Sequence, residues 1–207
     1  MVNSVGHDAP CLFRKNNTNI GGIKMKTIKI IDNNYPEKLK NIQNPPKQLY
    51  VLGDETILNG FSLAIIGCRE CSEYGKKIAK NLSFKLTQKG INIISGMARG
   101  IDTFAHISCL SAGGKTIAVL GSGFEHIYPK ENIELLKEII KGGGCVITEY
   151  EPNIRPIGSN FPSRNRIISG LSDGVIVVEA REKSGSLITV DYALEQSKEV
   201  FAVPRKY

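Results

Sequence analysis

The chain has 207 residues, of which 41% are hydrophobic and 23% charged, a globular composition that excludes general disorder. No apolar run approaches the ~20 residues of a membrane span, and the first residues lack the pattern of a secretion signal, so we expect a cytoplasmic protein without a membrane partner. The excess of 27 Lys+Arg over 20 Asp+Glu gives a net charge of +7, which fits an anionic partner such as nucleic acid and equally a soluble basic protein without one.

In chain order, the sequence predicts a tail, a lead-in and one main domain. Residues 1–24 are rich in Asn and Gly without periodicity, and we expect a disordered extension. Residues 25–60 read as a lead-in segment that packs on the core, with a short strand at 49–51. The main domain covers 61–207, and its end suggests truncation at the C-terminal side.

Strand-length apolar runs alternate with amphipathic helices throughout the main domain. Continuous apolar strands separated by helices predict a mostly parallel sheet covered on both faces, which is a Rossmann-like α/β three-layer sandwich. The runs lie at 63–66, 91–94, 116–120, 145–148, 175–178 and 200–203.

Arginine, rather than lysine, follows these strands. Because the carboxyl ends of parallel strands meet at one edge of a sheet, the loops after them should converge. Arginine binds phosphate through two parallel hydrogen bonds. The cluster therefore predicts an anion site, unless these arginines pair with acids on the rim. Six of the eight arginines are in these loops, namely Arg69, Arg99, Arg155, Arg164, Arg166 and Arg181, but of the lysines only Lys130 and Lys183.

Small residues at the same strand ends favour backbone contact with an anion. Gly67 ends the first strand of the main domain, and Ser72 is the expected N-cap of the helix that follows. The loop from Ser95 through Gly96 to Gly100 precedes another helix, whose N-terminus would stabilise a phosphate. The turn at 121–123 is either a third cradle or only a turn.

In the segment 160–168, two arginines would stand where the start of a helix disfavours positive charge. Arg164 and Arg166 would lie in the first turn of a helix, where cations oppose the macrodipole. This predicts that one of them meets an external phosphate and that the other pairs with an acid, such as Glu149, Glu151 or Glu179; the residues do not decide which. Phe161 either stacks on a base, as in single-strand binders, or belongs to the core.

Other motifs do not predict catalysis or a cofactor. Residues 113–116 lack the spacing of a P-loop, no G-x-G-x-x-G follows a strand, and Cys68 with Cys71 supplies only two of the four ligands of a structural zinc site. Asp102 and His106 form an acid–base pair or, more commonly for this spacing, a structural hydrogen bond. Glu179 is a weak candidate for a hydrolytic carboxylate. We therefore expect no metal and no cofactor.

Taken together, these motifs resemble the DprA/Smf family of DNA-processing proteins. The similarity runs in order over roughly 35–204 and includes Ser184 and Gly185, which we add to the candidate phosphate-binding set. The matching pieces are 65–69 with Ser72 and 74–75, 95–102 with His106, 128–129, 161–162 with 164–168, 179–180, 184–189 and 201–204.

The resemblance implies a cytoplasmic protein that binds single-stranded DNA without catalysis. Relatives protect incoming strands during natural transformation in competent cells, displace single-strand-binding protein and load the RecA-type recombinase. The family's groove carries over onto Arg69, the 95–100 loop that includes Arg99, Phe161, and Arg164 to Arg166 with Asn165 between them.

The chain also departs from the family at two places. Cys68 stands where relatives show Thr or Ser, and Arg205 stands where they show Gly. The family forms homodimers, but its dimer surface lies largely beyond this point, which makes a dimer of this chain doubtful.

Two other functions fit the same fold. A phosphoribohydrolase-like, nucleotide-processing enzyme would need a Pro-Gly-Gly-x-Gly-Thr loop where this chain has 184–189. A binding module for a small nucleotide would show an affinity that does not increase with oligonucleotide length.

Overall fold

The computed structural model describes residues 19–20, 22–182 and 184–204, and it contains a two-stranded and an eight-stranded sheet. The strands are β1 (Asn19–Ile20), β2 (Ile23–Lys24), β3 (Lys26–Lys29), β4 (Gln48–Gly53), β5 (Ser62–Gly67), β6 (Asn92–Ser95), β7 (Thr116–Val119), β8 (Cys145–Thr148), β9 (Gly174–Glu179) and β10 (Glu199–Ala202). The α-helices are α1 (Glu37–Lys40), α2 (Glu73–Gln88), α3 (Ile101–Ser111), α4 (Ile133–Lys141), α5 (Asn160–Leu171) and α6 (Gly185–Glu195). Short 3₁₀ helices lie at Glu55–Asn59, Phe124–His126 and Lys130–Asn132.

The large sheet has the order β10-β9-β5-β6-β7-β8-β4-β3. The first six strands in this order, from β10 through β8, pair in parallel. Strands β4 and β3 extend the sheet beyond β8 as antiparallel strands. All four residues of β7 and all four of β8 are buried, as expected for parallel strands covered on both faces. The predicted α/β fold with a mostly parallel sheet is therefore confirmed.

Helices cover both faces of this sheet. Helices α2, α3 and α4 contribute to two apolar clusters, which include Ile65 and Ile93 in one and Leu136 and Val146 in the other. Helices α1, α5 and α6 contribute to a third cluster with Leu39 and Ile167. Among the described residues, no helix has the length and apolar character that crossing a membrane requires.

The N-terminal part differs from expectation in two ways. The lead-in does not merely lie on the core, because β4 pairs with β8 through Val51 and Ile147 and so extends the main sheet. Within the segment predicted to be a disordered extension, β1 and β2 form a hairpin next to Gly22, whose φ of +89° favours a turn. Ile23 packs against an apolar cluster of the main domain, which anchors this hairpin. Residues 1–18 and 21 lie outside the described residues.

Candidate nucleic-acid interface

A cleft opens at the carboxyl edge of the parallel strands, between the loops after β5 and β9 and helix α5. Its volume is about 820 Å³, and a smaller cavity adjoins it. Of the predicted site residues, the cleft is lined by Gly67, Arg69, Phe161, Arg164, Asn165, Ser184 and Gly185. Gly96 and Arg99 line the smaller cavity. The structure does not place Ser72, Ser95, Gly100 or Arg166 on either wall.

Phe161 forms the aromatic part of the wall. The ring is half-buried and lies so close to Gly121 that a Cβ there would be 2.8 Å from Cδ1 of Phe161. The ring centroid of Tyr128 is 5.6 Å away at an interplanar angle of 58°, and Cζ of Arg69 lies 5.7 Å from the Phe161 centroid. Phe161 therefore packs against the fold and also lines the cleft, so packing in the core and stacking on a base remain compatible.

Tyr128 lines both cavities and is 38% exposed, but it was absent from the predicted binding set. The signal that would have found it is its place in the loop that follows β7, since all loops after parallel strands open at this edge. Among the other wall residues, Ala98 belongs to the predicted 95–100 loop, whereas Pro156, Gly158, Ser186 and Thr189 were not singled out for binding.

The six arginines expected at this edge divide into exposed and buried ones. The side chains of Arg69, Arg99, Arg155 and Arg181 are exposed. Arg99 makes an ion pair with Glu131, and Arg181 lies 3.9 Å from Glu70. The alternative that rim acids pair with these arginines therefore applies to two of the four, whereas Arg69 meets the Phe161 ring and has no carboxylate within 4 Å among the described residues.

Arg164 is a buried cation in the wall of the cleft. It is 4% exposed, and its Nη1 donates to the backbone oxygens of Gly96, at 2.7 Å, and of Val119. Its Nε donates to Oδ1 of Asn165 at 3.2 Å. Burial lowers the pKa of Arg164 to about 10, so the side chain keeps its charge at neutral pH. Within the described part of the chain, Nη2 has no hydrogen-bond partner, although the nearby Asp102 carboxylate offsets part of the charge.

Arg166 is instead a structural residue. Its Nη1 and Nη2 each donate to one carboxylate oxygen of Glu149 at 2.6 Å, and its Nε donates to the backbone oxygen of Asn44 at 2.9 Å. This pair is the acid partner that the sequence predicted for one of the two arginines. The placement in the first helical turn was wrong: α5 begins at Asn160, so Arg164 and Arg166 lie beyond that turn, where the helix dipole has little effect.

The predicted anion cradle at 95–100 is filled by a carboxylate of the chain itself. Backbone N–H groups of Gly96 and Ala98 donate to Oδ2 of Asp102 at 3.1 and 3.3 Å. Burial raises the pKa of Asp102 to about 6. Ser95 is a buried residue whose hydroxyl donates to the backbone oxygen of Ile65. Gly100, with φ +75°, is required because a Cβ there would lie 2.3 Å from the Arg69 oxygen. These amides are therefore not free for an external phosphate.

A second carboxylate occupies the N-terminus of α2. Ser72 is the N-cap, as predicted, since its hydroxyl accepts a hydrogen bond from the N–H of Gly75 at 3.0 Å. The backbone N–H and the hydroxyl of Ser72 both donate to Oε2 of Glu179, at 3.0 and 2.9 Å. Glu179 thus stabilises this helix end and does not line the cleft, so its candidacy as a hydrolytic group is not supported.

The N-terminus of α6 remains open to the cleft. Ser184 is its N-cap and lies 2.7 Å, oxygen to oxygen, from the hydroxyl of Ser186. Gly185 is exposed, and no atom of the described residues lies within 4 Å of a Cβ added to it. Asn165 ties this helix end to α5, because its Nδ2 donates to the Gly185 oxygen at 3.2 Å. Lys183 lies outside the described residues.

The turn at 121–123 is a close-packed connection rather than a cradle. A Cβ on Gly123 would lie 2.0 Å from the backbone oxygen of Glu151, and the Ser122 hydroxyl donates to the His126 oxygen at 2.7 Å. Backbone atoms of the chain therefore occupy the space that a bound phosphate would need.

Asp102 and His106 do not bond to each other. Nδ1 of His106 lies 2.7 Å from the Thr116 hydroxyl, which donates its only proton to the Ile93 oxygen. The proton of the imidazole is therefore on Nδ1. Burial lowers the pKa of His106 to about 3, so the ring is neutral. This residue belongs to the core and not to an acid–base pair.

The cysteines among the described residues, Cys68, Cys71, Cys109 and Cys145, are free thiols. Over the same part of the chain, no group of three or more His, Cys, Asp or Glu side chains is placed to hold a metal ion.

Comparison with known proteins gives consistent matches over most of the chain. The family model described as DNA recombination-mediator protein A matches residues 26–207. The DNA processing protein DprA of Bacillus subtilis is 47% identical over 181 residues, which are 87% of this chain and 61% of that protein. The chain spans 46% to 64% of the length of this relative and two others, from Escherichia coli and Streptococcus pneumoniae.

Two solved structures have the same fold at substantial identity. The X-ray structure of DNA processing protein A from Streptococcus pneumoniae gives a TM-score of 0.83 at 42% identity and covers 88% of this chain and 64% of that one. DNA processing protein A from Helicobacter pylori, whose structure concerns its single-stranded DNA binding mode, gives a TM-score of 0.80 at 33% identity and covers 88% of this chain and 81% of that one.

Proposed function

The chain belongs to the DNA recombination-mediator protein A family, also known as DprA/Smf, and from this premise we propose that its cleft binds single-stranded DNA. The observation that carries the proposal is Arg164, a buried cation whose Nη2 has no partner among the described residues and which stands in the cleft wall next to Phe161. The Asp102 carboxylate offsets part of this charge but, among the described residues, makes no ion pair with Arg164 within 4 Å. A buried guanidinium that lacks a direct ion pair is costly unless an anion meets it.

The walls of the cleft match the two chemical parts of a single strand. Arg69 and Arg164, with Arg99 at the adjoining cavity, would contact phosphates, and the open N-terminus of α6 at Ser184 and Gly185 would hold another. Phe161, with Tyr128 beside it, offers an aromatic face for a base. Since stacking and phosphate contact are both tolerant of sequence, we propose binding without strong base preference.

The wider role follows the family. We propose that the chain acts in recombination and natural transformation, where it would protect single strands, displace single-strand-binding protein and assist loading of the RecA-type recombinase, without a catalytic step of its own. This wider role is supported by family membership alone. The geometry of the cleft supports only the proposed contact with DNA.

A small-nucleotide module is the second candidate, because 820 Å³ lies within the range of small-molecule pockets. Such a site would enclose one small nucleotide as a whole. Additional nucleotides would then add no affinity.

One titration separates these functions. Fluorescent oligo-dT of graded length would be bound at several salt concentrations, with duplex DNA as the control. We expect affinity to increase with length, single strands to bind more tightly than duplex, and the log–log salt slope to be about −0.7 per phosphate neutralised. Equal affinity at all lengths would favour the nucleotide module. A flat salt response or equal affinity for duplex would contradict the proposal.

A further inference from the structure

A lysine-rich surface lies on α2, none of whose residues lines the cleft. Between Glu73 and Lys89, the C-cap residue, five lysines stand against one glutamate, a net +4 out of +7 for the whole chain. The neighbouring helix α3 adds no exposed charge, because its Asp102 and His106 are buried. The lysines of this region, which we call the α2 surface, are Lys76, Lys77, Lys80, Lys85 and Lys89. More than half of the net charge is thus on one helix that the cleft does not use.

An aromatic ring of α3 holds two of these lysines. Nζ of Lys76 lies 5.1 Å from the Phe104 centroid, and Nζ of Lys80 lies 5.3 Å from it. Cation–π contacts position an ammonium group without neutralising its charge. Of the five lysines, only Lys76 has a carboxylate within 4 Å among the described residues, that of Glu73 at 3.4 Å. The positive charge of the α2 surface is therefore largely uncompensated.

Exposed apolar side chains accompany these charges. Phe84 on α2 and Ile107 on α3 are each 38% exposed. The two helices cross closely, because the hydroxyl of Ser83 donates to the Ala105 oxygen at 2.6 Å and that of Ser108 donates to the Lys80 oxygen at 2.6 Å. Cations interleaved with an aromatic ring on a rigid support are typical of surfaces that bind single-stranded nucleic acid.

A short segment connects the wall of the cleft to the N-terminal end of α2. Helix α2 begins at Glu73, a few residues after Arg69 in the cleft wall. From Lys76 to Lys85 the helix extends about 14 Å at its rise of 1.5 Å per residue, which is long enough to contact more than one phosphate. We propose that the α2 surface binds the backbone of the same DNA strand beyond the cleft, an inference that rests on the proposed function. Glu73 shields Lys76, so Lys77 and Lys80 are expected to make the main contacts.

A length-resolved salt titration tests this. The variant K77Q/K80Q removes two exposed lysines of the α2 surface. The matched control is K29Q/K47Q, which makes the same change in charge at two exposed lysines that line neither cavity and, among the described residues, have no ion pair. The probes are labelled oligo-dT of roughly 6 nucleotides, enough to fill the cleft, and roughly 30 nucleotides. All proteins should melt within a few degrees of one another, because the replaced side chains are exposed and only Lys80 loses a contact, that with the Phe104 ring.

We expect the salt slope to change only with the long oligo-dT probe. With the long probe, the salt slope of K77Q/K80Q should be less steep by about 1.4, or 0.7 for each phosphate released, and the control should match the unmodified protein. With the short probe, all three proteins should agree.

Three results would overturn this inference. An unchanged slope with the long probe, while the short probe still binds, overturns it and leaves the proposed function intact. Equal losses with both probes would show that these lysines act on the cleft itself. Loss of binding to poly-glutamate, with DNA binding unchanged, would assign the α2 surface to an acidic polypeptide. If the unmodified protein binds neither probe, the proposed function fails as well.

Discussion

Separate replacement of Arg164 and Arg166 should distinguish a residue that contacts DNA from one that only stabilises the fold. In Arg166→Ala, Glu149 loses its bidentate partner while its side chain is only 17% exposed. Removing one member of a buried ion pair costs about 3–5 kcal/mol. For a chain of this size each kcal/mol lowers Tm by about 2–4 °C, so Tm should fall by roughly 6–20 °C. Because Arg166 lines neither cavity, the folded fraction should keep its DNA affinity and salt slope.

Arg164→Ala should lower both quantities. The backbone oxygens of Gly96 and Val119 lose a charged donor in a buried setting, at about 1–3 kcal/mol each. The cleft also loses a phosphate contact, so the salt slope should become less steep by about 0.7. Thermal melting, followed by oligo-dT titration well below the melting temperature, measures the two effects on one sample.

A charge-removing second substitution checks the cause of the Arg166 effect. In Arg166→Ala with Glu149→Gln, no unpaired carboxylate remains, so much of the lost stability should return, and the double-mutant cycle should show strong coupling. The reasoning would be refuted if Arg166→Ala changed the salt slope as much as Arg164→Ala, or if Arg164→Ala left DNA binding unchanged.

Three further predictions concern single residues. Phe161→Ala should weaken oligo-dT binding by about 1–3 kcal/mol in a fluorescence titration, whereas Phe61→Ala, at a ring 60% exposed elsewhere on the surface, should not change it. Glu131→Gln should release Arg99 from its ion pair and so raise DNA affinity and steepen the salt slope by up to about 0.7; weaker binding would contradict this. His106, with a folded pKa of about 3, binds no proton where the unfolded chain does, so its contribution to stability is present above pH ~6.5 and is lost as pH falls, by about 2 kcal/mol at pH 5. His106→Asn keeps a donor toward Thr116 but cannot titrate, and denaturant unfolding at pH 7 and pH 5 should show that this part of the pH dependence has disappeared.

The sequence predicted the parallel sheet well because buried parallel strands leave an uninterrupted apolar run. The run at 145–148 coincides with β8, all of whose residues are buried. The Ser72 cap was also visible, since it depends on residues adjacent in the chain. The pairing of β4 with β8 could not be predicted from the sequence, because Val51 and Ile147 meet only through the tertiary structure.

The sequence predicted only those features of the candidate site that follow from the order of strands and loops. Strand-to-loop topology correctly brought Arg69, Phe161 and Arg164 to one cleft. Topology cannot say whether an arginine at this edge is exposed, and the bidentate partner of Arg166 comes from a different loop. Occupation of the 95–100 loop by Asp102 also required the folded geometry, because the loop must turn back so that its N–H groups meet the second residue of α3.

The two internal carboxylates explain how this edge would recognise phosphate. Asp102 and Glu179 fill the backbone cradles that loops after parallel strands commonly offer to an anion. Contact is thereby left mainly to guanidinium groups and to the open end of α6, and these do not enclose a single phosphate. A tight nucleotide site needs convergent donors around one group, whereas a strand needs spaced cations with stacking surfaces between them. The distribution of charge in the cleft, with Arg69 and Arg164 beside the Phe161 ring, is therefore better matched to a polymer than to a mononucleotide.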